Sequence, residues 1–240
     1  MPGVFPCLRP GGLARRPPRR DPRDRPLRAA QGHERAGQDR KRGTCLGTLR
    51  QRAEFIELLG SAYRGTGDNK KAMLLAEELL ALGKANQNKV IIAKGLLSKA
   101  YTSFANNELA TSHQLAWESE TWANQTDDMP TRIRATISSG ESYAEDGNFP
   151  PALKKLQLAV KMAHEYGHPI QIVAALNSLA SLYGQMKEYD KGFEALAEAY
   201  PYAEKTNSPG RMSTLKDTEY GLSVATNQPQ RRACCCWPRP

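Results

Sequence analysis

Hydrophobic residues recur every three or four positions along the middle of the chain, from about Leu49 to Thr226, which is the spacing of one helix face. The segment 172–183 shows this most clearly, because it places on a single stripe Ile172, Leu176, Leu179, Ala180 and Tyr183. Ala, Leu, Glu and Lys, which favour helices, dominate these segments. The alternation typical of a β-strand does not compete with this period. The pattern therefore predicts a succession of helices.

The helical segments end in short polar stretches that are rich in Gly and Asn. These residues tolerate the left-handed backbone conformation that closes many helices. The stretches are Gly65-Thr66-Gly67-Asp68-Asn69, Ala105-Asn106-Asn107, Asp146-Gly147-Asn148 and Gln185-Met186-Lys187-Glu188. Their shortness predicts helices paired into hairpins by tight turns.

A tyrosine occupies a similar place in four successive segments, at Tyr63, Tyr101, Tyr143 and Tyr183, with intervals of 38, 42 and 40 residues. Three positions before each tyrosine is a small residue: Gly60, Ser98, Gly140 and Ala180. Nine positions after it stand Ala72, Ala110, Ala152 and Gly192, and sixteen after it stand Leu79, Trp117, Ala159 and Ala199. Small residues let paired helices approach closely, and larger neighbours fill the space around the crossing. The spacing predicts four helical hairpins that stack on one another.

This pattern resembles tetratricopeptide repeats (TPRs) over roughly residues 51–226, most closely in Leu59, Gly60, Tyr63 and Ala72. Two features depart from that family: its early Trp is absent, and the period is near 40 rather than about 34 residues. Longer periods of this kind are similar to the TPR arrays of bacterial signalling proteins. The resemblance implies an all-α fold, a right-handed superhelical solenoid of about four antiparallel hairpins plus a capping helix. It also implies that the chain binds a protein or peptide.

The net charge of +9 is concentrated at the ends of the chain. Residues 1–52 hold 14 Lys and Arg against 4 Asp and Glu, whereas residues 53–230 hold 17 against 21. A basic chain suggests nucleic-acid binding, but the foldable middle is mildly acidic and no aromatic residues interleave with the N-terminal arginines. We therefore expect no specific nucleic-acid partner. We expect a disordered Arg/Pro-rich arm at 1–48, the repeat domain at 49–226 and a disordered tail at 227–240.

Nothing in the sequence resembles a membrane span or a secretory signal. Apolar runs fall short of the roughly 18 residues that cross a bilayer, and the N-terminal region lacks the apolar stretch of a signal peptide. The five cysteines, at Cys7, Cys45 and 234–236, all lie outside the helical region, so no disulfide framework supports the core. We expect a cytoplasmic protein that does not associate with membranes.

One short motif suggests chemistry. The sequence His164-Glu165-Tyr166-Gly167-His168 matches the zinc-peptidase motif H-E-x-x-H, in which both imidazoles must lie on one helical turn. Gly167 and the proline at 169 favour an end to the helix near Tyr166. We therefore expect His168 in a loop, and no metal site.

In a solenoid of this type, the first helix of each hairpin lines the concave face. Residues offset from the packed Leu–Tyr stripe should point into the groove, namely Glu57, Ser61, Arg64, Lys99, Thr102, Arg134, Glu141, Asn177, Ser181 and Gln185. Arg64, Lys99 and Arg134 would form a basic row suited to the acidic groups of an extended peptide. On the second helix of repeat two, Trp117 is expected in the core and Trp122 as the more exposed contact residue.

These observations favour a non-catalytic scaffold or adaptor without a cofactor, since no phosphate-binding loop and no Ser/His/Asp set are visible. An alternative is the sensory or regulatory part of a bacterial signalling protein whose output domain, a diguanylate cyclase or a transcriptional regulator, is absent from this chain. A zinc peptidase is a third possibility, which depends on the five-residue motif alone. The oligomeric state stays open.

Overall fold

The computed structural model describes residues 47–226, which form α-helices and contain no β-strand. In chain order the helices are α1 (Leu49–Gly65), α2 (Asn69–Ala85), α3 (Lys89–Ala105), α4 (Leu109–Ala123), α5 (Met129–Glu145), α6 (Phe149–Tyr166), α7 (Pro169–Gln185), α8 (Tyr189–Lys205) and α9 (Pro209–Ala225). The predicted arm and tail lie outside the described residues, apart from Gly47 and Thr48. Helices α1 to α8 form four hairpins and α9 follows as a single helix, so the predicted all-α repeat architecture is confirmed.

The helices repeat every 40 residues along the chain. First helices of successive hairpins begin at residues 49, 89, 129 and 169, and α9 begins at 209, while second helices begin at 69, 109, 149 and 189. Turns between helices contain one residue in the left-handed conformation, at Gly67, Gln87, Asn107, Gly147, Gly167, Lys187 and Asn207. The α4–α5 connection differs, because α4 has 15 residues and a longer loop restores the period.

Side chains at the helix starts satisfy backbone N–H groups that lack a partner within the helix. Asp68, Asn88 and Asp128 accept hydrogen bonds from the backbone N–H groups three residues later, at distances of 3.1–3.2 Å. Thr48 and Gln51 form a reciprocal capping box at the start of α1. These local signals explain why the boundaries fall where the polar stretches of the sequence lie.

Consecutive helices pack against each other throughout the described chain, and each first helix also contacts the next first helix. Successive second helices make weaker contacts at most. First helices therefore lie closer together than second helices, which places them on the concave side of a helical-repeat solenoid. We call the face formed by α1, α3, α5, α7 and α9 the inner groove.

Small residues set the distance between neighbouring helices. A Cβ added to Gly95 in α3 would lie 2.7 Å from the backbone of Leu80 in α2. By contrast, a Cβ on Gly60 would meet the Leu75 Cβ at 3.6 Å, an ordinary contact. The α2–α3 crossing therefore requires glycine at residue 95, whereas the α1–α2 crossing has room for alanine.

The second repeat is aligned differently from the sequence prediction. Counting 40 residues from Tyr63 leads to Ser103, and counting 40 more leads to Tyr143, so Tyr101 is not the structural equivalent of the other repeat tyrosines. The 38- and 42-residue intervals result from this two-residue shift. The shift also replaces the predicted core positions Ala110 and Trp117 by Ser112 and Ser119.

Burial supports the shifted alignment. Ser112 and Ser119 are buried, and their hydroxyls donate hydrogen bonds of 2.9 Å to the carbonyls of Ala100 and Ala93 on α3. Ala110 is exposed. Because a serine buried at a helix crossing satisfies its hydroxyl on the partner backbone, the packing survives without the expected alanine and tryptophan.

The two tryptophans of α4 exchange their predicted roles. Trp117 is 37% exposed, with its ring 5.4 Å from that of Tyr143, so the prediction that it belongs to the core is wrong. Trp122 is half-buried and packs against a small cluster formed by Ala93, Ala123 and Ala135.

Candidate ligand-binding groove

Four side chains 40 residues apart mark corresponding positions along the inner groove: Ser61, Tyr101, Glu141 and Ser181. They lie on α1, α3, α5 and α7, and each directly follows a buried residue of its helix. Ser61 and Ser181 are exposed, whereas Tyr101 and Glu141 are partly exposed and lie deep between helices. The middle of the groove therefore carries the bulkier groups, and its ends carry hydroxyls.

An ion-pair network connects three first helices near the start of the groove. The Glu57 carboxylate contacts the Arg134 guanidinium through its Oε1 atom, and the Lys94 Nζ atom lies 3.3 Å from its Oε2 atom. Burial alone would raise the pKa of Glu57, but the charges and hydrogen bonds of Arg134 and Lys94 outweigh it and lower that pKa. Glu57 therefore stays ionised and ties α1 to α3 and α5.

Two further arginines, Arg64 and Arg211, lie near this network and form no close ion pair with a described residue. The Arg64 guanidinium lies 5.8 Å from the centre of the Tyr101 ring, and its buried Nη1 atom has no hydrogen-bond partner. Burial lowers the pKa of Arg64, and the positive charge of Arg134 adds to the shift. The pKa of Arg211, on α9, is lowered by the same two causes. Arg64, Arg134 and Lys94 thus bring three cations near the carboxylate of Glu57, and Arg211 lies near Arg134.

Beyond Tyr101, the groove deepens into a cavity of about 280 Å³ between α3, α4, α5, α6 and α7. Glu141 lines it, and its Oε1 atom accepts a 2.7 Å hydrogen bond from the Ser178 hydroxyl. Burial raises the pKa of Glu141, and the neighbouring charge of Glu145 raises it further. Burial also raises the pKa of Tyr101 to about 12, so its phenol stays protonated at neutral pH. We call this cavity the Glu141 pocket.

Two of the predicted groove residues do not face the groove. Lys99 pairs with Glu77 on α2, with a distance of 3.6 Å between Nζ and Oε1. Thr102 is fully buried, and its hydroxyl donates a 2.8 Å hydrogen bond to the Ser98 carbonyl. Both predictions are wrong for the same reason, since the two-residue shift in repeat two rotates these positions toward the neighbouring helices. The predicted basic row therefore does not form with Lys99.

The remaining predicted residues lie on the first helices as expected. Ser181 and Gln185 line the Glu141 pocket, together with Glu141 itself. Asn177 accepts a 2.9 Å hydrogen bond from the Thr218 hydroxyl, so its side chain connects α7 to α9. Glu57, Arg64 and Arg134 take part in the charged network described above.

The zinc-peptidase motif is divided between two helices. Helix α6 ends at Tyr166, Gly167 adopts a left-handed φ of 74°, and His168 is the N-cap of α7. The Nε2 atom of His164 lies 3.0 Å from the Glu198 carboxylate, on a neighbouring helix. The prediction that His168 lies in the loop is confirmed. Within residues 47–226, no group of three or more His, Cys, Asp and Glu residues is arranged to hold a metal ion.

Several groove residues were not predicted from the sequence. The tyrosine spacing places Tyr101 in the packed stripe, and no sequence feature singles out Lys94, Ser178 or Arg211. A strict 40-residue period finds two of them, since it relates Tyr101 to Glu141 and Lys94 to Arg134 on the same helix face. The helix-end signals in the sequence contain that period, but the tyrosine spacing obscures it.

Comparisons with known proteins identify the fold. A Signal Transduction ATPase with Numerous Domains (STAND) protein with a tetratricopeptide repeat sensor, from Pyrococcus horikoshii, matches with a TM-score of 0.61 and 18% identity. The match covers 83% of this chain and 31% of that one, so the chain spans about a third of the STAND protein. BtubC (BKLC) from P. vanneervenii matches with a TM-score of 0.60 and 14% identity, over 88% of this chain and 86% of the other.

The apo form of RapI is also similar, with a TM-score of 0.53 and 15% identity over 84% of this chain and 55% of RapI. No family model and no curated protein matches the sequence. None of the described helices is both long and apolar enough to cross a membrane. At these identities the comparisons establish a helical-repeat fold.

Proposed function

We propose that this chain is a non-catalytic TPR-like scaffold or adaptor that binds an extended segment of another protein in its inner groove. The observation that carries the proposal is the groove itself, in which the first helices bring together charged and hydroxyl side chains beside a cavity of about 280 Å³. A fold alone does not define a function, so the argument rests on these side chains.

The chemistry of the groove favours a peptide with polar and charged side chains. Arg64 and Arg211 form no close ion pair with a described residue, and exposed hydroxyl and amide groups lie at Ser61, Ser181 and Gln185. These groups offer side-chain hydrogen bonds and ion pairs at intervals along the array. An extended peptide presents groups about 3.3 Å per residue apart and can contact several repeats at once.

A peptide selected from a random library by binding to the chain tests this proposal. Ser181→Trp should block the groove and weaken binding of that peptide by about tenfold or more, since an added indole occupies contact space. Leu158→Trp, at an exposed position on the second helix α6, is the matched control and should leave binding unchanged. Equal loss in both variants, or none in either, would contradict groove binding.

A second candidate is a sensory role within a signalling system. It is favoured by the similarity to the STAND protein, which carries a tetratricopeptide repeat sensor. A sensor must change its shape when it binds its ligand, whereas a scaffold need not. Small-angle X-ray scattering with and without the selected peptide separates the two, because a change in the radius of gyration favours the sensor.

A further inference from the structure

The Glu141 pocket presents hydrogen-bond acceptors that the protein does not fill. Glu141 receives one hydrogen bond, from Ser178, and neither Glu141 nor Glu145 forms an ion pair with a described residue. No Lys or Arg is among the described residues that line the cavity. The hydroxyl of Ser142 is itself used, since it donates to the Ser138 carbonyl at 2.9 Å. The pocket thus holds two carboxyl groups, of Glu141 and Glu145, without a matching cation.

A buried histidine adds a further acceptor. His113, on α4, is 5% exposed and lines the cavity, and its Nδ1 atom lies 3.0 Å from the Asp146 carboxylate. With the proton of the neutral imidazole on Nδ1, on the side of that carboxylate, the lone pair of Nε2 is an acceptor. The Nε2 atom is buried and has no hydrogen-bond partner. A buried polar atom without a partner is costly, so this atom points to a missing donor.

The walls of the pocket are apolar where the charged groups end. Leu156 and Leu182 line it from α6 and α7, and Phe104, which is 48% exposed, stands at the side of α3. Long basic side chains combine these two requirements, because their methylene stems lie against apolar surface while their charged heads donate several hydrogen bonds.

We propose that the Glu141 pocket binds a Lys or Arg side chain of an extended peptide that lies in the inner groove, with Glu141 as the charge partner. The inference rests on the proposed function for its ligand and adds the chemistry of one anchor residue. The stem of the side chain lies between Leu156 and Leu182. Its cationic head donates hydrogen bonds to the Glu141 carboxylate and to His113 Nε2, while Glu145 adds negative charge.

The test titrates the full chain with end-blocked peptides of sequence Ala-Ala-X-Ala-Ala, where X is Arg, Lys or Gln, and follows backbone amide signals by NMR. The Arg or Lys peptide should shift signals of residues 138–145 and 178–182. The Gln peptide should bind at least about tenfold more weakly, since it lacks the positive charge that pairs with the carboxylate. Glu141→Gln should weaken binding of the Arg or Lys peptide by a similar factor.

Glu118→Gln is the matched control, because it removes an exposed carboxylate from α4 outside the pocket and should leave affinity unchanged. His113→Phe, made alone in the wild-type chain, keeps a ring but removes the acceptor. It should also weaken binding of the basic peptide. Thermal midpoints show that each variant is folded. Equal affinity for the Arg and Gln peptides, or an unchanged affinity in folded Glu141→Gln, overturns the inference.

Argininamide separates this inference from the proposed function, since it carries the guanidinium without a peptide chain. If argininamide shifts the pocket signals and no peptide binds, the cation pocket stands and the peptide-binding function fails. If library-selected peptides bind the groove whatever their charge, the function stands and the cation pocket is wrong. If neither argininamide nor a basic peptide shifts the pocket signals, the inference is wrong.

Discussion

Glu141 lies where an ionised carboxylate is costly. Burial and the charge of Glu145 raise its pKa, so the folded state binds its proton more tightly than the unfolded state does. Its contribution to stability is therefore greatest below the unfolded pKa and is lost as pH rises through the folded pKa. One unit of such a shift corresponds to about 1.4 kcal/mol.

We predict that Glu141→Gln raises the thermal midpoint at pH 7.5, because the amide removes the charge that is costly to bury. The advantage should shrink as the pH falls from 7.5 toward 4, because the wild-type carboxyl takes up its proton on the way, above the usual pKa of a glutamate. Calorimetry of both proteins over this range measures the difference, with Glu118→Gln as the exposed control. A variant less stable than the wild type at pH 7.5 would mean that the carboxylate is held by partners other than Ser178. If Glu141→Gln is more stable and also loses cation binding, Glu141 serves the binding site at the expense of stability.

At the scale of helices, the two-residue shift in repeat two makes a direct prediction. Ser112→Leu should destabilise the protein by about 1–3 kcal/mol, because the added methylenes overfill the α3–α4 crossing. It also removes the hydrogen bond to the Ala100 carbonyl. Ala110→Leu, two residues earlier and exposed, should change stability by less than about 0.5 kcal/mol.

Chemical denaturation of the two variants measures both free energies of unfolding. The opposite order, with Ala110→Leu the more harmful, would restore the alignment based on tyrosine spacing.

The sequence supported the helices and their turns well, because capping residues and left-handed positions act locally. The predicted alignment of repeat two was wrong, because Tyr101 fits the tyrosine pattern and Ser103, the structurally equivalent residue, does not. A buried serine such as Ser112 carries no hydrophobic signal, since its burial depends on a carbonyl supplied by another helix. Contacts in the groove could not be predicted for the same reason. Glu57 and Arg134 were expected on one face, but their ion pair joins residues 77 positions apart and depends on how the hairpins stack.

At the scale of the whole molecule, each hairpin depends on its neighbours, and α9 covers the last one. Leu222 on α9 packs into room left by two glycines, since a Cβ on Gly184 would lie 2.6 Å from its Cδ2 atom and one on Gly192 would lie 2.9 Å from its Cδ1 atom. In a linear array, damage at the end should loosen the nearest repeat first.

We predict that Leu222→Ala costs about 2–5 kcal/mol locally, as expected for a large-to-small change at a buried site. Hydrogen exchange should show faster opening of α8 and α9, with α3 to α6 still protected. Val224→Ala, at a position 59% exposed on the same helix, is the control and should leave exchange unchanged. Uniform acceleration over all helices would instead indicate that the solenoid unfolds as a single cooperative unit.

The constant helix spacing also bears on how such a chain can change its length. First helices begin at residues 49, 89, 129 and 169, so a duplication of any 40-residue stretch within the four hairpins inserts one complete hairpin in phase. A duplicated piece of another length would leave a helix without its partner and expose its apolar face. Unequal recombination between neighbouring hairpins can therefore lengthen or shorten this array by whole hairpins. An event outside residues 101–185, within which the pocket-lining residues lie, moves the Glu141 pocket relative to the ends of the array without rebuilding it.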